Sequence, residues 1–97
     1  MALKVVWTQK ARNEKDQILH YYLEPNGSPT YSRIPRQHFS QGLELVRVQE
    51  GIGKQTSRDE IRCLFVLDYS LFYRLDSQSI IVLSVWDNRR NPEQRPY

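Results

Sequence analysis

Residues 60–86 read EIRCLFVLDYSLFYRLDSQSIIVLSVW and contain three short runs rich in β-branched, aromatic and leucine residues. Such residues favour strands. Only Asp68-Tyr69 and residues 76–78 separate the runs, and connections this short join antiparallel neighbours, because a parallel crossover needs a dozen residues or more. The sequence therefore predicts a three-stranded antiparallel meander. Its strands span 60–67, 70–75 and 79–86.

The chain before this meander has a helical pattern. A short apolar run at 2–7 predicts a strand, and Thr8 follows it as a candidate helix N-cap. Ser28-Pro29 is a second helix start, since proline is favoured at the first helical position. A helical hairpin that turns at 25–27 is therefore predicted. Apolar side chains at helical spacing in the first helix are Ala11, Ile18, Leu19 and Tyr22.

The second helix is interrupted by Pro35. Proline inside a helix removes a hydrogen bond at a cost of about 3 kcal/mol, so the helix either kinks or begins at this residue. We expect it to end in the segment 51–53, which contains two glycines. Its apolar stripe is Tyr31, Ile34, His38 or Phe39, Leu43 and Val46.

The element order predicts an α+β fold: a strand, a helical hairpin and the meander, forming one four-stranded sheet with the helices on one face. Ninety-seven residues suffice for one core, so we expect a single domain over 1–97. The buried contacts expected between helices and sheet involve Ala11, Ile18, Tyr22, Leu64, Val66, Leu71 and Tyr73.

Composition limits the class of protein. The net charge is +3, from 14 basic and 11 acidic residues, which is compatible with an anionic partner and does not require one. Cys63 is the single cysteine, so no internal disulfide is expected and a cytoplasmic protein is favoured. We expect no signal peptide, no membrane segment, no metal site and no cofactor, because the sequence lacks the corresponding patterns.

Three segments, read in order, resemble the RelE/ParE toxin superfamily: WTQKA at 7–11, YSLFYR at 69–74 and VWDNRRNP at 85–92. The resemblance covers nearly the whole chain. It implies the toxin of a bacterial type II toxin-antitoxin system, of the plasmid stabilisation type, wrapped and neutralised by a cognate antitoxin. Toxins of this superfamily either cleave mRNA in the ribosomal A site or poison DNA gyrase.

One sheet face is informative about the target. If the hairpin turns at Asp68-Tyr69, strand alternation places Ile61, Cys63, Phe65, Leu67, Ser70, Phe72 and Arg74 on the same face. The resemblance implies that mRNA interferases hold cations on this face to stabilise the phosphate under attack. Aligned without gaps on Tyr69, the superfamily's basic positions fall at Ile61, Cys63 and Ser70. None of the three is basic.

We therefore predict a ParE-like growth inhibitor that binds a protein target such as DNA gyrase, and a binder rather than an enzyme. The alternative is a ribosome-dependent mRNA interferase, an endoribonuclease with Arg89, Arg90 and Tyr97 as catalytic residues. A second alternative is a non-toxic relic that still binds an antitoxin. For Arg89 and Arg90, pairing with Asp87 or with the antitoxin and contact with nucleic acid are two equally weighted interpretations. The residues expected to bind antitoxin or target are Phe65, Phe72, Arg74, Arg89, Arg90 and Arg95.

Overall fold

The computed structural model describes residues 3–23 and 29–97, with the side chains of 3–20 and 35–97. The predicted α+β order of strand, helical hairpin and meander is confirmed. The elements are β1 (Lys4–Trp7), α1 (Gln9–Leu23), α2 (Pro29–Val48), β2 (Lys54–Gln55), β3 (Arg62–Val66), β4 (Tyr69–Leu75), β5 (Ser79–Asp87) and a short 3₁₀ helix (Pro92–Gln94).

The described strands form one sheet in the order β1-β5-β4-β3-β2. β1 runs parallel to β5, and the other pairs are antiparallel. The sheet has five strands, so the prediction of four was wrong. The additional strand, β2, has only two residues, too few to show the alternation by which a strand is recognised.

The β3-β4 turn lies at Leu67-Asp68, one residue earlier than predicted. Val66 pairs with Tyr69 and Phe65 pairs with Ser70, and Leu67 has a positive φ of 54°, as tight two-residue hairpin turns require. The predicted partner of Ser70 was Leu67, two positions away. A shift of two leaves each side chain on its predicted face.

The helices cover one face of the sheet. Among the predicted contacts, Ala11, Val66, Leu71 and Tyr73 are buried, and Ile18 and Leu64 pack half-buried against them. Tyr22 lies outside the described side chains. The remaining buried residues of this core are Leu3, Phe39, Leu43, Val46, Tyr69, Ile80, Val82 and Val85.

Thr8 joins β1, α1 and β5. Its Oγ1 accepts a hydrogen bond from the backbone N–H of Ala11 at 3.2 Å and donates one to Val82 O at 3.0 Å. The first bond satisfies one of the amides that a helix start leaves unpaired. The predicted N-cap is confirmed, and the second bond anchors the helix start to the centre of the sheet.

Helix α2 is continuous from Pro29 to Val48 and contains Pro35, so the helix does not begin at this proline. Pro35 is fully buried, and the apolar stripe after it packs on the sheet, which offsets the lost hydrogen bond. The predicted cap at Ser28 and the stripe positions Tyr31 and Ile34 lie outside the described side chains. The helix ends at Val48, before the predicted limit at 51–53.

Gly53 is required by a close approach. Its N–H donates to Tyr73 Oη at 3.1 Å, and a Cβ at this position would overlap the Tyr73 hydroxyl. Burial raises the pKa of that hydroxyl above its usual value. The Gly53 carbonyl accepts from Arg62 Nη1 at 2.9 Å, so the loop before β2 is fixed to β3 and β4.

Candidate functional site

The sheet face turned away from the helices, called the open face below, has its own apolar cluster. Ile61, Cys63, Phe72 and Trp86 are buried there, and Leu83 and Tyr97 pack half-buried against them. The ring centroids of Phe72 and Tyr97 lie 5.2 Å apart. The C-terminal segment therefore folds back over this face.

A short turn directs this segment. Asn91 caps the 3₁₀ helix with its side-chain oxygen, which accepts from Glu93 N at 3.0 Å. Pro92 takes the first helical position, where its missing N–H costs nothing. The local sequence thus reverses the chain after β5, and Tyr97 can return to Phe72.

The two phenylalanines predicted to bind a partner differ in solvent exposure. Phe65 is 53% exposed, whereas Phe72 is 1% exposed. Phe72 is therefore not exposed to a partner in this structure, because the chain's own Trp86 and Tyr97 cover it; its binding role stays a prediction. Strand alternation identified the face correctly and could not show what covers it.

The three positions that would be basic in an mRNA interferase are all buried. Ile61 is 4%, Cys63 7% and Ser70 0% exposed. Ser70 Oγ donates to Asn88 Oδ1 at 2.7 Å. Burial raises the pKa of the Cys63 thiol, and the Ser70 hydroxyl, Arg95 and Lys54 oppose this effect. A buried thiol with a raised pKa is a poor nucleophile.

Cations do surround this face, at positions the sequence analysis mostly missed. Lys54 pairs with Cys63 across β2 and β3, and its Nζ lies 5.3 Å from the Phe65 ring centroid. The Arg58 guanidinium lies 6.0 Å from the Tyr97 ring. We call Lys54, Arg58 and Arg95 the cationic rim. Only Arg95 was predicted. Lys54 lies in a two-residue strand and Arg58 in a loop, and neither segment has a recognisable motif.

Arg89 is held by a carboxylate. Its Nε and Nη2 donate to the two oxygens of Asp87, each at 2.9 Å, and its Nη2 lies 3.4 Å from Tyr69 Oη. The hydrogen bonds from Arg89 lower the pKa of Asp87, and the same pair raises the pKa of Arg89. Of the two interpretations of Arg89, the structure thus contains the pairing with Asp87. Much of its charge is already compensated.

Arg90 and Arg74 do not join Arg89. The Arg90 guanidinium lies 4.7 Å from the Trp86 ring, and Arg74 is exposed near the end of β4. Within the part of the chain that the structure describes, Arg74 forms no ion pair. The predicted catalytic set of Arg89, Arg90 and Tyr97 is therefore divided: Tyr97 packs on Phe72, whereas Arg89 contacts Asp87 and Tyr69.

A cavity of about 360 Å³ lies between α1 and the end of β5, beside Arg89. The Glu14 carboxylate at this cavity is already hydrogen-bonded. Glu14 Oε1 accepts from Ser84 Oγ at 2.9 Å and from Val85 N at 3.2 Å, and Lys10 Nζ lies 3.2 Å from Glu14 Oε2. These bonds fasten α1 to β5. The cavity is lined by Glu14, Gln17, Ile18, Tyr69, Val85, Asp87, Arg89 and Arg90.

A second cavity, of about 220 Å³, lies between α2 and the outer edge of β3. β2 pairs only with Arg62 and Cys63, so the remaining outer edge of β3 has no strand beside it in the described structure. Three large apolar side chains are exposed there: Leu45 at 51%, Phe65 at 53% and Leu67 at 47%. We call this surface the edge groove.

Residues 3–23 and 29–97 contain no group of three or more His, Cys, Asp or Glu side chains placed to hold a metal ion. No helix in these ranges is long and apolar enough to span a membrane.

Comparison with known proteins identifies the family. The family described as ParE toxin of the type II toxin-antitoxin system, parDE, matches residues 5–92. The chain belongs to the ParE toxin family. Its expected function as the toxin of a type II toxin-antitoxin system is thereby confirmed at the level of the family, as is the predicted RelE/ParE resemblance.

A solved structure gives the same fold for a ParE-type system. The "Chromosomal ParDE TA system from P. aeruginosa" is similar to this chain with a TM-score of 0.72 and 20% sequence identity. The match covers 89% of this chain and 96% of that chain. At this identity the likeness concerns the fold. A search of curated protein sequences found no match.

Proposed function

We propose that this ParE-family chain is a non-nucleolytic growth inhibitor, that it acts on a protein target such as DNA gyrase, and that a cognate antitoxin neutralises it. The main support is the packing of the open face. Ile61, Cys63 and Ser70 occupy the positions at which an interferase would hold cations, and all three are buried.

The chemistry of RNA cleavage makes this packing relevant. Attack by a 2′-hydroxyl concentrates negative charge on the phosphate, and removing one stabilising donor from such a site typically slows the reaction about 100- to 1000-fold. A phosphate placed over Ile61 and Phe72 would also lose part of its hydration, and these two side chains offer it no donor in return, which is costly. The open face is therefore suited to apolar contacts.

The edge groove is the surface we assign to the antitoxin. Leu45, Phe65 and Leu67 expose apolar side chains together, and such a cluster on a small protein often marks a binding site. The unpaired backbone of β3 beside it suits an extended segment that adds to the sheet. Phe65 remains in the predicted binding set, while Phe72 becomes accessible only if the C-terminal segment moves.

One observation favours the interferase alternative. The cationic rim places Arg58 beside the ring of Tyr97, and Lys54 and Arg95 act electrostatically on Cys63 at the same face. A tyrosine next to several cations is an arrangement that can bind a nucleotide by stacking and charge. If the chain cleaves RNA, Arg58 and Tyr97 are the residues to test first.

Induced expression in bacteria separates the two functions. We expect incorporation of labelled thymidine to stop before incorporation of labelled methionine. With purified components, we expect gyrase to accumulate on cleaved DNA, and ribosome toeprints to show no codon-specific cleavage.

Variants make this comparison sharper. Codon-specific cleavage that is lost in Arg58→Ala or Tyr97→Phe, and kept in the exposed control Arg12→Ala, would reject the proposal in favour of an interferase. Inactivity in both assays would support the relic.

A further inference from the structure

A third cavity, of about 290 Å³, lies between β1, α1 and α2. Its α2 residues lie on the flank of that helix opposite the edge groove. We call it the basic cleft. Its floor is apolar and consists of Val5, Trp7, Phe39 and Leu43, and its rim carries Lys15, Arg36, Glu44 and Arg47.

The charges of the rim favour an anionic ligand. Glu44 is already engaged, because its Oε2 lies 2.7 Å from Arg47 Nη1, while Arg47 Nε donates to Leu3 O at 2.9 Å. Lys15 Nζ lies 4.7 Å from the Trp7 ring. Arg36 is exposed and forms no ion pair with any side chain that the structure describes. Among the described side chains, Lys15 and Arg36 are therefore positive charges without a carboxylate partner.

The apolar floor of the cleft further restricts the kind of ligand that fits. Val5 and Trp7 are half-buried although they pack against the main core, so part of their apolar surface faces the cleft. At about 290 Å³, the cleft is at the lower limit of roughly 300–1,000 Å³ for small-molecule sites. It has room for one or two side chains. Apolar floor and cationic rim together fit a peptide with apolar and acidic residues better than a nucleic acid backbone.

The backbone of β1 indicates the conformation of that peptide. Lys4 N donates to Gln78 O and Thr8 N donates to Val82 O, so the amides of Val5 and Trp7, which alternate with them, point away from β5. β1 is the edge strand of the sheet. Within the described structure, the same two residues thus offer amides without a partner strand at the edge and apolar side chains in the cleft, an arrangement that suits an added strand.

We propose that the basic cleft binds an acidic, extended segment of a partner protein. One apolar side chain of the segment rests on Val5 and Trp7, and carboxylates pair with Lys15 and Arg36. That the partner is the antitoxin rests on the function proposed above, whereas the peptide binding itself does not.

The test is titration of the ¹⁵N-labelled full chain with synthetic peptides, followed by NMR. The first probe alternates glutamate and leucine, the second alternates lysine and leucine, and the third is a glutamate peptide with serine in place of leucine. A single-stranded RNA oligonucleotide is the fourth. The two tryptophans report position, since Trp7 lines the cleft and Trp86 lies on the open face.

We expect the glutamate-leucine peptide to shift the Trp7 indole N–H and the amides of β1, and to leave Trp86 unchanged. The lysine-leucine and glutamate-serine peptides should bind at least about fivefold more weakly. The double variant Lys15→Glu/Arg36→Glu should weaken binding by about tenfold, because two attractions become repulsions. Arg12→Glu, which reverses one exposed charge on α1 outside the cleft, should alter it by less than about twofold.

Three results would overturn the proposal: no binding of the glutamate-leucine peptide, shifts confined to Trp86 and the open face, or equal binding of the lysine-leucine peptide. Tighter binding of the RNA with shifts at Trp7 would replace it with a nucleic acid site. The amide spectrum of each variant shows whether it is folded. Failure here would leave growth arrest and gyrase inhibition intact, so it is distinguishable from failure of the proposed function.

Discussion

Tyr97 rests on Phe72 with ring centroids 5.2 Å apart and an angle of 53° between the ring planes. This contact closes the open face of the sheet over Cys63, which is 7% exposed. The surface that a partner meets on this side is therefore the C-terminal segment itself, together with the cationic rim.

The first prediction tests this closure through the thiol of Cys63. Burial raises its pKa, and the thiolate is the form that reacts. Tyr97→Ala should raise the rate of reaction with a disulfide reagent at pH 8 by about tenfold, which corresponds to ~1.4 kcal/mol less work for local opening. Tyr97→Phe keeps the ring and should react like the wild type. Equal rates in all three proteins would mean that Tyr97 does not shield the thiol.

The second prediction concerns the core under the helices. Leu71 is 0% exposed, and Leu71→Ala should lower the free energy of unfolding by about 2–5 kcal/mol, because a cavity remains. Leu45 is 51% exposed, and Leu45→Ala should change it by less than about 0.5 kcal/mol. Urea denaturation followed by circular dichroism measures both values. Similar losses in the two variants would contradict the assignment of the core.

The third prediction uses two glycines two residues apart. Gly53→Ala forces a Cβ against the Tyr73 hydroxyl and should cost about 1–3 kcal/mol of stability. At Gly51 a Cβ meets nothing within 4 Å, so Gly51→Ala should be neutral or stabilise by up to about 1 kcal/mol. The additional change Tyr73→Phe should recover part of the loss at Gly53. Thermal unfolding of the four proteins tests this, and equal effects at both glycines would refute it.

The fourth prediction compares the buried Phe72 with the exposed Phe65. Phe72→Asp places a charge in a buried cluster and should unfold the chain. Phe65→Asp changes a side chain that is 53% exposed and should leave the fold intact while weakening the antitoxin complex by about tenfold or more. Calorimetry with the co-expressed antitoxin measures the affinity. Unchanged affinity of a folded Phe65→Asp protein would remove the edge groove from the interface.

The fifth prediction concerns Asp87, whose pKa is lowered by the hydrogen bonds from Arg89. A lowered folded pKa means that the unfolded chain binds the proton more tightly, so the contribution to stability is present above pH ~4 and is lost as the pH falls through the folded pKa. Asp87→Asn should therefore be less stable than the wild type at pH 7, by less than about 1 kcal/mol because Arg89 is half exposed.

The difference between the Asp87→Asn and wild-type proteins should shrink as the pH falls through the lowered pKa of Asp87 in the folded chain. This difference in stability can be measured from the melting temperatures of the proteins between pH 2.5 and 7. The control is Asp59→Asn, a change at an exposed carboxylate. A difference that stayed constant across this range would show that the ion pair with Arg89 is not its cause.

Much of this architecture could be predicted from local patterns. Alternation along 60–86 identified three strands and the faces of Cys63 and Phe72, since the side-chain period of two holds even when the turn shifts to Leu67-Asp68. Thr8 predicted the start of α1, because the first turn of a helix has free backbone N–H groups that need an oxygen acceptor at this position. The family was also recognisable from short segments in order.

The tertiary structure decided everything that depends on residues far apart in the chain. Phe72 is closed by Tyr97, Arg89 is neutralised by Asp87 under Tyr69, and Lys54 reaches the open face through a two-residue strand. The basic cleft joins β1, α1 and α2, and no sequence pattern connects these elements. Periodicity reports which side of an element is apolar, whereas burial depends on which other part of the chain comes to lie there, and only the folded chain contains that information.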